Sequence, residues 1–600
     1  MHFVSACVCA ALFILTGAQS KPATRLRHQK RQNAGTYDYI IVGGGTAGLA
    51  LAARLSEDGN QTVLVLEAGG SPTAVASYKT PGADLQVLGS PIDWAFTTLP
   101  QSTLNNRQLT YNRGRCLGGS SAINGMTYGR GSSSVYNLWE SLGNTGWSWN
   151  DVFPYFKKST TFHNQAETNV TGQGVEASLY SNGPVQIGYP PYVYATPGSE
   201  AFVESLAAIG VPVVEELNNG TNIGAKQEML TIDSLFHRSS SYDNYYMQAQ
   251  NRPNLKVLPF SPVKRLILTE SSKGVIATSV VYVDYTSGET LNATAKEVIL
   301  SAGSFQTPQL LMLSGIGPTE TLKKNGIKQY VANENVGQNL QDHTYFSIYL
   351  EADPAVSYSS LYNDYSKLQE ATAEYQSSQG PLTAPIGLSF GFEKISADTL
   401  TEIGAAALAQ NRSDQAHIEY YYETEFYPNY PTPQYSPMEY NTSYISLTAG
   451  LLAPMSRGSI SVKSNSNADP PQIDLNYYST PEDQAVAIYA FRNLRKILDK
   501  FSTFNYTYDE VAPGPTVQSD ADILEYVRST AVTVWHASGT CAMLPQDKGG
   551  VVNDKLQVYG VDGLRIVDTS VFPIIPDQHT QGPTYMLAEK AAAIILGTDR

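Results

Sequence analysis

Two of the eight histidines lie near the C-terminus, each beside a run of small residues. In VWHASGTCAM, His536 precedes alanine, serine, glycine and threonine, and in PDQHTQGPTY, His579 precedes Thr580, Gln581 and Gly582. Small residues let a backbone approach a planar group closely. An imidazole titrates near neutral pH and therefore suits proton transfer from a hydroxyl group. The two stretches predict a pair of acid–base side chains beside a flat ligand.

The remaining histidines lack such a context. We interpret His163, His237 and His417 as structural or surface residues, and His343, in QNLQDH, as structural. An isolated histidine is as often a hydrogen-bonded structural residue as a functional one. We therefore expect the chemistry to rest on His536 and His579.

The N-terminal part of the chain supplies elements that would position such a ligand. Residues 37–70 read YDYIIVGGGTAGLALAARLSEDGNQTVLVLEAGG. A short apolar run predicts a strand over 39–42, and a helical pattern follows to about residue 56. A second apolar run predicts a strand over 62–66. This is the strand–turn–helix–strand order of a dinucleotide-binding unit.

Glycines in G-x-G-x-x-G spacing join the first strand to the helix. Gly43 permits the tight turn, Gly45 lets the backbone approach a pyrophosphate, and Gly48 lets helix and strand pack closely. The helix N-terminus faces the anion with free N–H groups. Glu67, at the end of the second strand, would accept hydrogen bonds from a ribose diol. The predicted contacts are Gly43, Gly45, Thr46, Ala47, Gly48 and Glu67.

Both FAD and NAD fit that spacing, and two later stretches bear on the choice. Residues 113–131 read RGRCLGGSSAINGMTYGRG, in which small polar residues alternate with apolar ones, as in backbone that passes close to a flat group. Residues 301–318 read SAGSFQTPQLLMLSGIGP. There a Thr-Pro pair at 307–308 predicts a helix start with proline at its first position, and Ser-Gly at 314–315 predicts its end. The preceding EVILSAG predicts a buried parallel strand.

These stretches resemble the glucose–methanol–choline (GMC) oxidoreductases, FAD enzymes that oxidise alcohols. Residues 114–131 and 303–317 match the two diagnostic stretches of the family. The resemblance runs from about Tyr37 to the end and includes NVGQNLQDH at 335–343 and VDGLRIVDTSVFP at 561–573. Within the family the chain looks closest to fungal aryl-alcohol oxidases, glucose dehydrogenases and related biosynthetic enzymes.

The resemblance implies a fold of class α/β plus α+β. A Rossmann-like FAD-binding domain is expected from residues 37–75, 111–135, 230–340 and 531–600. A discontinuous substrate-binding domain, built on a mostly antiparallel sheet, is expected from residues 76–110, 136–229 and 341–530. Strand-like stretches in the second set are PVQIGYP, HIEYYYETEFYP and YISLTAGLLAPMSRGSISVKS. The tyrosine-rich segment 420–435 would either line the access path or only pack there.

The resemblance also implies roles for individual residues. Further FAD contacts fall on Gly118, Ser121, Asn124, Gly125 and Thr127 along the pyrophosphate and isoalloxazine, Val263 at the adenine, Asp568 near the ribityl chain, and Thr580 and Gln581. Some members tether the flavin through a histidine in the first diagnostic region. None lies between His28 and His163, so we expect noncovalent FAD.

In family members the histidine at His536 acts as general base, and the one at His579 hydrogen-bonds the substrate oxygen. The expected reaction takes the hydroxyl proton to His536 and a hydride to flavin N5, giving an aldehyde, ketone or lactone. Electrons would then pass to O₂ or to a quinone. Primary benzylic or allylic alcohols, sugars and a secondary metabolite remain open as substrates. A cyclising or lyase-like biosynthetic enzyme and a flavin-bound structural protein are the alternative classes.

Composition limits the partners of the protein. The formal net charge of −15 makes nucleic acid a poor partner, because phosphate binding needs clustered lysine and arginine. Residues 1–20 have the short apolar run of a secretion signal, with a membrane anchor as the alternative. The basic segment 21–36 is a linker or a pro-segment cut after Lys30-Arg31. No later stretch approaches a membrane span, and no metal site is expected. The predicted location is therefore extracellular or within the secretory pathway.

Seven N-x-S/T triplets accord with secretion and are candidates for N-glycans. They begin at Asn60, Asn169, Asn219, Asn292, Asn411, Asn441 and Asn505. Of four cysteines, two lie in the leader, and Cys116 and Cys541 remain. Both stand in small-residue motifs, and two buried free thiols are the expectation, with pairing left open.

Overall fold

The computed structural model describes residues 34–163, 172–190, 196–272, 274–409, 414–427 and 442–599. The predicted signal over 1–20 and nearly all of the basic segment lie outside the described residues. Residues 428–435 of the tyrosine-rich segment also lie outside them. Three of the predicted glycosylation triplets, at Asn169, Asn411 and Asn441, also begin outside it.

Strands and short ribbons alternate with helices along the described chain. The strands are β1 (Ala34–Val42), β2 (Val63–Leu66), β3 (Phe96–Thr97), β4 (Thr110–Tyr111), β5 (Thr160–Phe162), β6 (Val185–Ile187), β7 (Gly224–Gln227), β8 (Leu255–Leu258), β9 (Val263–Ser271), β10 (Gly274–Asp284), β11 (Glu289–Leu300), β12 (Ile316–Gly317), β13 (Val331–Ala332), β14 (Thr344–Ala352), β15 (Gly387–Glu393), β16 (Ile418–Glu423), β17 (Tyr444–Leu451), β18 (Ser459–Ser461), β19 (Gln472–Asp474), β20 (Thr507–Ala512), β21 (Val532–Thr533), β22 (Val561–Asp562) and β23 (Leu564–Ile566). The α-helices are α1 (Thr46–Leu55), α2 (Ser133–Ser141), α3 (Trp149–Ser159), α4 (Thr196–Ser205), α5 (Met247–Ala249), α6 (Gly303–Leu313), α7 (Thr319–Lys324), α8 (Ser359–Asn363), α9 (Tyr365–Tyr375), α10 (Ala397–Glu402), α11 (Pro481–Phe501), α12 (Asp520–Thr530) and α13 (Gln581–Leu596).

The first large sheet has the strand order β22-β10-β11-β1-β2-β8. Its centre is parallel: β1 pairs with both β11 and β2, and β2 pairs with β8. Strands β9 and β10 extend it as antiparallel neighbours, and β23 runs parallel to β11. The predicted Rossmann-like sheet is therefore confirmed, including the buried parallel strand predicted from EVILSAG, which forms the end of β11.

The predicted unit β1–α1–β2 is present, and its glycines explain its tightness. Gly43 has a φ of +104°, which favours glycine. A Cβ on Gly48 would lie 2.0 Å from the carbonyl oxygen of Gly43, so only glycine lets α1 pack this closely against the end of β1. Helix α1 is apolar on nearly every face and is buried between the sheet and α13.

The second large sheet is antiparallel, in the order β20-β14-β17-β16-β15-β7, with β21 also paired to β14. Its residues form a separate core with the long helix α11. This is the mostly antiparallel sheet that the family resemblance implied. Its strands include β16 and β17, from two of the predicted stretches.

Two of the predicted strands lie outside this sheet. The stretch PVQIGYP forms β6, which pairs in parallel with β5 as a two-stranded ribbon. The end of the third stretch forms β18, which pairs only with β19 in another ribbon. Alternating apolar residues predict that a segment is extended, but they do not select the partner strand.

The helix after β11 begins earlier than predicted. Helix α6 starts at Gly303, so Pro308 lies inside it rather than at its first position. A proline there cannot donate to the carbonyl oxygen of Ser304, four residues before it. The hydroxyl group of Thr540 donates to that oxygen instead, at 2.7 Å. The predicted helix end is confirmed, with Gly315 at a φ of +87°.

Cys116 and Cys541 are both buried and unpaired, as expected. Burial raises the pKa of each thiol above its ordinary value. Among the helices described, none has the length and apolar character needed to cross a membrane.

Candidate active site

A cavity of about 750 Å³ extends from the carboxyl ends of β1 and β2 to the antiparallel sheet. Its size is that of a site for a cofactor and a small ligand together. The cavity lining includes most of the predicted site residues, namely Gly43, Gly45, Thr46, Ala47, Glu67, Ser121, Asn124, Gly125, Thr127, Val263, His536, Asp568, His579, Thr580 and Gln581. Segments far apart in sequence therefore meet around one space.

Gly48 and Gly118 lie behind this lining. Gly48 packs on the backbone of Gly43, as described above. Gly118 has a φ of +96°, and its carbonyl oxygen accepts a hydrogen bond from the hydroxyl group of Ser121 at 2.6 Å. The hydroxyl group of Thr46 also points to that oxygen, at 3.4 Å. These two glycines shape the loops that carry the lining residues.

The turn before α1 leaves room for a ligand. A Cβ added to Gly45 would come no nearer than 3.8 Å to any protein atom, the nearest being Cα of Gly119. The position faces the cavity at the N-terminus of α1, where backbone N–H groups and the helix dipole favour an anion. The protein itself does not fill this space, and a phosphate group suits it.

Glu67 is the acidic residue at the end of β2. Its two carboxylate oxygens accept hydrogen bonds from the backbone N–H groups of Gly44 and Gly69, each at 2.8 Å. Burial raises the pKa of Glu67 to about 7, although these hydrogen bonds oppose the shift. Each oxygen can accept a further hydrogen bond, as a ribose diol requires.

The middle of the cavity is held by buried polar contacts. Asp568 accepts hydrogen bonds from the N–H of Gly303 at 2.9 Å and from the hydroxyl group of Thr307 at 2.6 Å. The amide group of Asn124 donates to the side chain of Gln581. These contacts fix the loop over 118–127 against the N-terminus of α13. Together with the open turn at Gly45 and with Glu67, this lining fits an extended dinucleotide such as FAD.

His536 is positioned by its own backbone. Its N–H donates to Oδ1 of Asp342 at 2.8 Å, and the preceding residue, Trp535, has a φ of +59°, which is strained for a non-glycine residue. The guanidinium group of Arg113 donates to the carbonyl oxygen of Trp535 at 2.7 Å. The hydroxyl group of Thr533 accepts from the N–H of Trp535 at 2.6 Å. This network holds the imidazole at the cavity wall.

His343 contacts His536 directly, with a distance of 3.0 Å between their Nδ1 atoms. His343 is fully buried, which agrees with the structural interpretation, but no pattern in the sequence indicated this contact with His536. One of the two nitrogens must donate and the other accept. Nε2 of His343 is buried and has no hydrogen-bond partner among the described residues. Burial and the neighbouring His579 lower the pKa of His343 to about 3, and the backbone of Leu452 opposes this shift.

The tautomer of His343 determines that of His536. If His343 carries its proton on Nε2, its Nδ1 accepts from Nδ1–H of His536. In that arrangement Nε2 of His536 is left with a lone pair. Nε2 of His536 has no hydrogen bond to any described residue and is not completely buried. It is therefore accessible from the cavity that His536 lines. Burial lowers the pKa of His536 well below its usual range, with His579, His343 and Arg113 lowering it further.

His579 has a different environment. Its Nε2 lies 3.1 Å from Oε1 of Glu419 and 3.0 Å from the hydroxyl oxygen of Tyr421. The Tyr421 hydroxyl group also donates to the other oxygen of Glu419. The ring centre of His579 lies 4.7 Å from that of His536, and the angle between the two ring planes is 73°. The cavity therefore presents two adjacent imidazoles, one bonded to a histidine and the other to a carboxylate.

Three other histidines within the described residues lie outside this cavity. His163 contacts the side chain of Gln186, and His237 lies 3.3 Å from the carboxylate of Asp233. His417 is buried and accepts from the N–H of Ile395 at 3.1 Å. These positions agree with the structural or surface interpretation of all three.

The chain is similar to known proteins both in sequence and in fold. Family models described as GMC oxidoreductase match residues 37–345 and 454–588. A protein named dehydrogenase pkfF from Emericella nidulans is 35% identical, over 99% of this chain and 98% of its own length. Patulin synthase of Aspergillus clavatus is 37% identical, over 94% and 92%. The structure of formate oxidase from Aspergillus oryzae superimposes with a TM-score of 0.85 at 29% identity, over 94% and 99%.

Proposed function

Because the chain belongs to the GMC oxidoreductase family and is an FAD-dependent oxidoreductase, we propose that it oxidises an alcohol at the carbon that bears the hydroxyl group. The hydroxyl proton goes to His536, and the product is an aldehyde, ketone or lactone. FAD, when bound, supplies the acceptor for the hydride that leaves the carbon. The electrons finally reach O₂, which forms H₂O₂, or a quinone-type acceptor.

The observation that carries this proposal is that His536 lines the cavity with Nδ1 against His343 and Nε2 without a partner among the described residues. A general base must be unprotonated and open to the substrate. His536 meets the first condition because burial lowers its pKa and the second because it lines the cavity. Its hydrogen bond to His343 fixes the ring orientation and directs Nε2 away from that contact.

His579 supports the same reaction from the other side of the substrate oxygen. With Nε2 facing Glu419 and Tyr421, its second nitrogen is the one available for a ligand. The contacts with Glu419 and Tyr421 hold this ring in place. Its second nitrogen would hydrogen-bond the alcohol oxygen and help to orient it for proton transfer.

We place a small primary alcohol, with a benzylic or allylic carbinol, first among the substrates. The wall of the cavity near His536 carries Trp535, Tyr345, Tyr421 and Tyr427, which suit an unsaturated or aromatic group. A second candidate function is a specific step in secondary metabolism. The similarity to patulin synthase over nearly the whole chain favours that candidate.

We also propose that the protein is secreted and N-glycosylated. The apolar leader supports secretion. All four predicted glycosylation asparagines within the described residues, namely Asn60, Asn219, Asn292 and Asn505, are exposed. Mass measurement of the mature protein, before and after removal of N-glycans, tests both the cleavage and the modification.

His536→Ala tests the role of the base. We expect the variant to retain yellow FAD and to reduce it about 10²–10⁴-fold more slowly with benzyl alcohol under anaerobic conditions. His237→Ala, which alters a histidine outside the cavity, should reduce FAD at the parental rate. If His536→Ala did the same, the assignment would fail. Cinnamyl alcohol, glucose and formate complete the substrate panel, and peroxide detection after admission of air separates an oxidase from a dehydrogenase.

A further inference from the structure

Three buried carboxylates line the same cavity as the histidine pair. They belong to Asp84, Glu228 and Glu423, each only 6% exposed. They come from three distant parts of the chain, and Glu423 ends the strand β16 that also carries Glu419 and Tyr421. Carboxylates this deeply buried are normally paired with a cation, because an isolated buried charge is costly.

None of the three makes an ion pair with any described residue. Asp84 accepts only from the adjacent backbone N–H of Leu85, at 3.0 Å. Glu228 accepts through Oε1 from Thr127, and Glu423 accepts through Oε2 from Thr448 at 2.7 Å. The second oxygen of each carboxylate therefore has no hydrogen-bond partner among the described residues. None of these three oxygens is completely buried, so a ligand can reach each of them.

The partnerless oxygens point into the cavity. Oδ2 of Asp84 lies 3.7 Å from the place where a Cβ on Gly125 would be. Oε2 of Glu228 lies 3.5 Å from the corresponding place on Gly387. Both glycines line the cavity. A ligand that entered beside these glycines would meet the carboxylate oxygens directly.

The three groups also act on one another. Burial, the largest cause, raises the pKa of Asp84 to about 6 and that of Glu423 to about 8. The pKa of Glu228 is raised as well, with the charges of Glu419, Asp84 and Glu423 adding to the effect of burial. The guanidinium group of Arg238 opposes the shift at Asp84. The three carboxyl groups are therefore close enough to interact, and each holds its proton more tightly than a free carboxyl group does. A cation bound beside them would favour their ionised forms and so be bound with release of protons.

Aromatic rings form the rest of this wall. The ring of Tyr345 stacks on Tyr427 with a centroid distance of 6.2 Å and lies 6.4 Å from Trp535 and 6.3 Å from Tyr421. All four rings line the cavity. Faces of aromatic rings attract cations, and the attraction grows where water is excluded. Carboxylates and aromatic faces together are the features that bind an organic ammonium group.

A metal ion fits this set poorly. Among the described residues, no three histidine, cysteine, aspartate or glutamate side chains are close enough to hold one ion. An ammonium group is larger and accepts looser surroundings, because each of its N–H groups can meet a different oxygen.

We propose that the alcohol oxidised in this cavity carries a protonated amine, which Asp84, Glu228 and Glu423 bind while the carbinol lies at His536 and His579. The inference rests on the proposed alcohol oxidation. It predicts that the enzyme discriminates by the charge at the far end of the substrate and that it rejects alcohols which carry a carboxylate.

Four para-substituted benzyl alcohols test the charge preference with the FAD-loaded enzyme. The substituents are aminomethyl, which is cationic, ethyl, which has nearly the same shape, hydroxymethyl and carboxylate. Flavin reduction is followed anaerobically. We expect kcat/KM for the aminomethyl alcohol to exceed that of the ethyl alcohol by about 10- to 100-fold, as a hydrogen-bonded charge provides. The carboxylate alcohol should be the poorest substrate. Equal rates for the aminomethyl and carboxylate alcohols would overturn the proposal, and a preference for hydroxymethyl would indicate polyol recognition instead.

Variants locate the effect. Glu423→Gln should reduce the preference for the aminomethyl over the ethyl alcohol by about tenfold and leave the ethyl alcohol nearly unaffected. Glu370→Gln, an exposed residue on α9, is the control and should change neither value. An unchanged preference in both Glu423→Gln and Asp84→Asn would overturn the inference.

Benzylammonium, which has no hydroxyl group, separates the two proposals. We expect it to bind the oxidised holoenzyme and to perturb the flavin spectrum, more weakly in Glu423→Gln. If it binds while no alcohol reduces FAD, the proposed oxidation fails and the cation site stands. If alcohols reduce FAD while benzylammonium does not bind, the cation site fails and the oxidation stands.

Discussion

Replacement of His343 by leucine or asparagine tests how the hydrogen bond between the two buried histidines supports catalysis. Leucine removes the acceptor that faces Nδ1–H of His536, whereas an asparagine carbonyl oxygen can lie near the position of the former Nδ1. Leucine and asparagine side chains are both similar to histidine in length. The pair therefore separates loss of the hydrogen bond from loss of volume.

The magnitude follows from the orphaned donor. In His343→Leu, the buried Nδ1–H of His536 loses its partner, which lies at 3.0 Å in the parent. An unsatisfied buried donor costs about 1–3 kcal/mol. If the ring escapes this cost by moving its proton to Nε2, the base is lost. We therefore expect the limiting rate of flavin reduction to fall by about 10- to 100-fold, with His343→Asn within a few-fold of the parent.

The assay is anaerobic stopped-flow reduction of the bound FAD by benzyl alcohol, with the absorbance spectrum as a check that the cofactor is retained. Thermal unfolding provides the contrast. The orphaned donor of His536 should lower the melting temperature of His343→Leu whichever role His343 has, so the rate decides between the roles. A merely structural His343 would combine the lower melting temperature with the parental rate of flavin reduction. That result would refute the tautomer argument.

Three other perturbations follow from the site. Gly45→Ala should fold but bind FAD weakly, because its Cβ enters the open turn. Gly48→Ala should fold poorly, because its Cβ meets the backbone of Gly43. Soluble yield and the flavin absorbance of the purified protein distinguish the two outcomes. The limiting reduction rate should change less than about twofold from pH 8 to 5.5, because the lowered pKa keeps His536 neutral, whereas a base of ordinary pKa would lose about tenfold; a tenfold loss contradicts the assignment. Glu419→Gln should lower kcat/KM by about tenfold, because His579 loses its carboxylate partner; an unchanged value argues against a role of this contact in positioning His579.

The dinucleotide unit was predictable because its information is local. The turn at Gly43, the close packing at Gly48 and the acidic residue Glu67 lie within one short segment, and each follows from backbone geometry. The start of α6 was not predictable from the same kind of reasoning. The partner that makes Pro308 tolerable is Thr540, more than two hundred residues away, whose hydroxyl group replaces the missing N–H.

The missed site residues have the same cause. His343 lies 193 positions from His536, and Glu419 lies 160 positions from His579. Nothing in QNLQDH or HIEYYYE distinguishes these side chains from residues of an ordinary strand end or sheet. Only the meeting of the antiparallel sheet with the loops of the parallel sheet brings them together. The sequence indicated that His536 and His579 are candidate acid–base side chains, but it did not indicate their different hydrogen-bond partners.

The buried carboxylates of the cavity reduce the stability of the fold, and Glu423 shows how this can be measured. Burial raises its pKa from 4.5 to about 8 in the folded protein. Between these values the folded state binds more protons than the unfolded state, so stability falls as the pH rises through this window. A change of this size corresponds to roughly 5 kcal/mol as an upper limit. Natural proteins keep such costs mainly where function needs them.

Glu423→Gln keeps the size of the side chain and removes the ionisation. Its stability relative to the parent should therefore change little at pH 5 and should increase at pH 8, where the parent must ionise a buried group. Thermal unfolding of the substrate-free holoenzyme, followed by flavin fluorescence, measures the difference at both values. A bound ammonium compound should narrow the gap at pH 8, because it supplies the counter-charge that the parent lacks. A gap of the same size at both pH values would mean that Glu423 is not an unpaired buried acid, and the charge argument for the substrate would lose its basis.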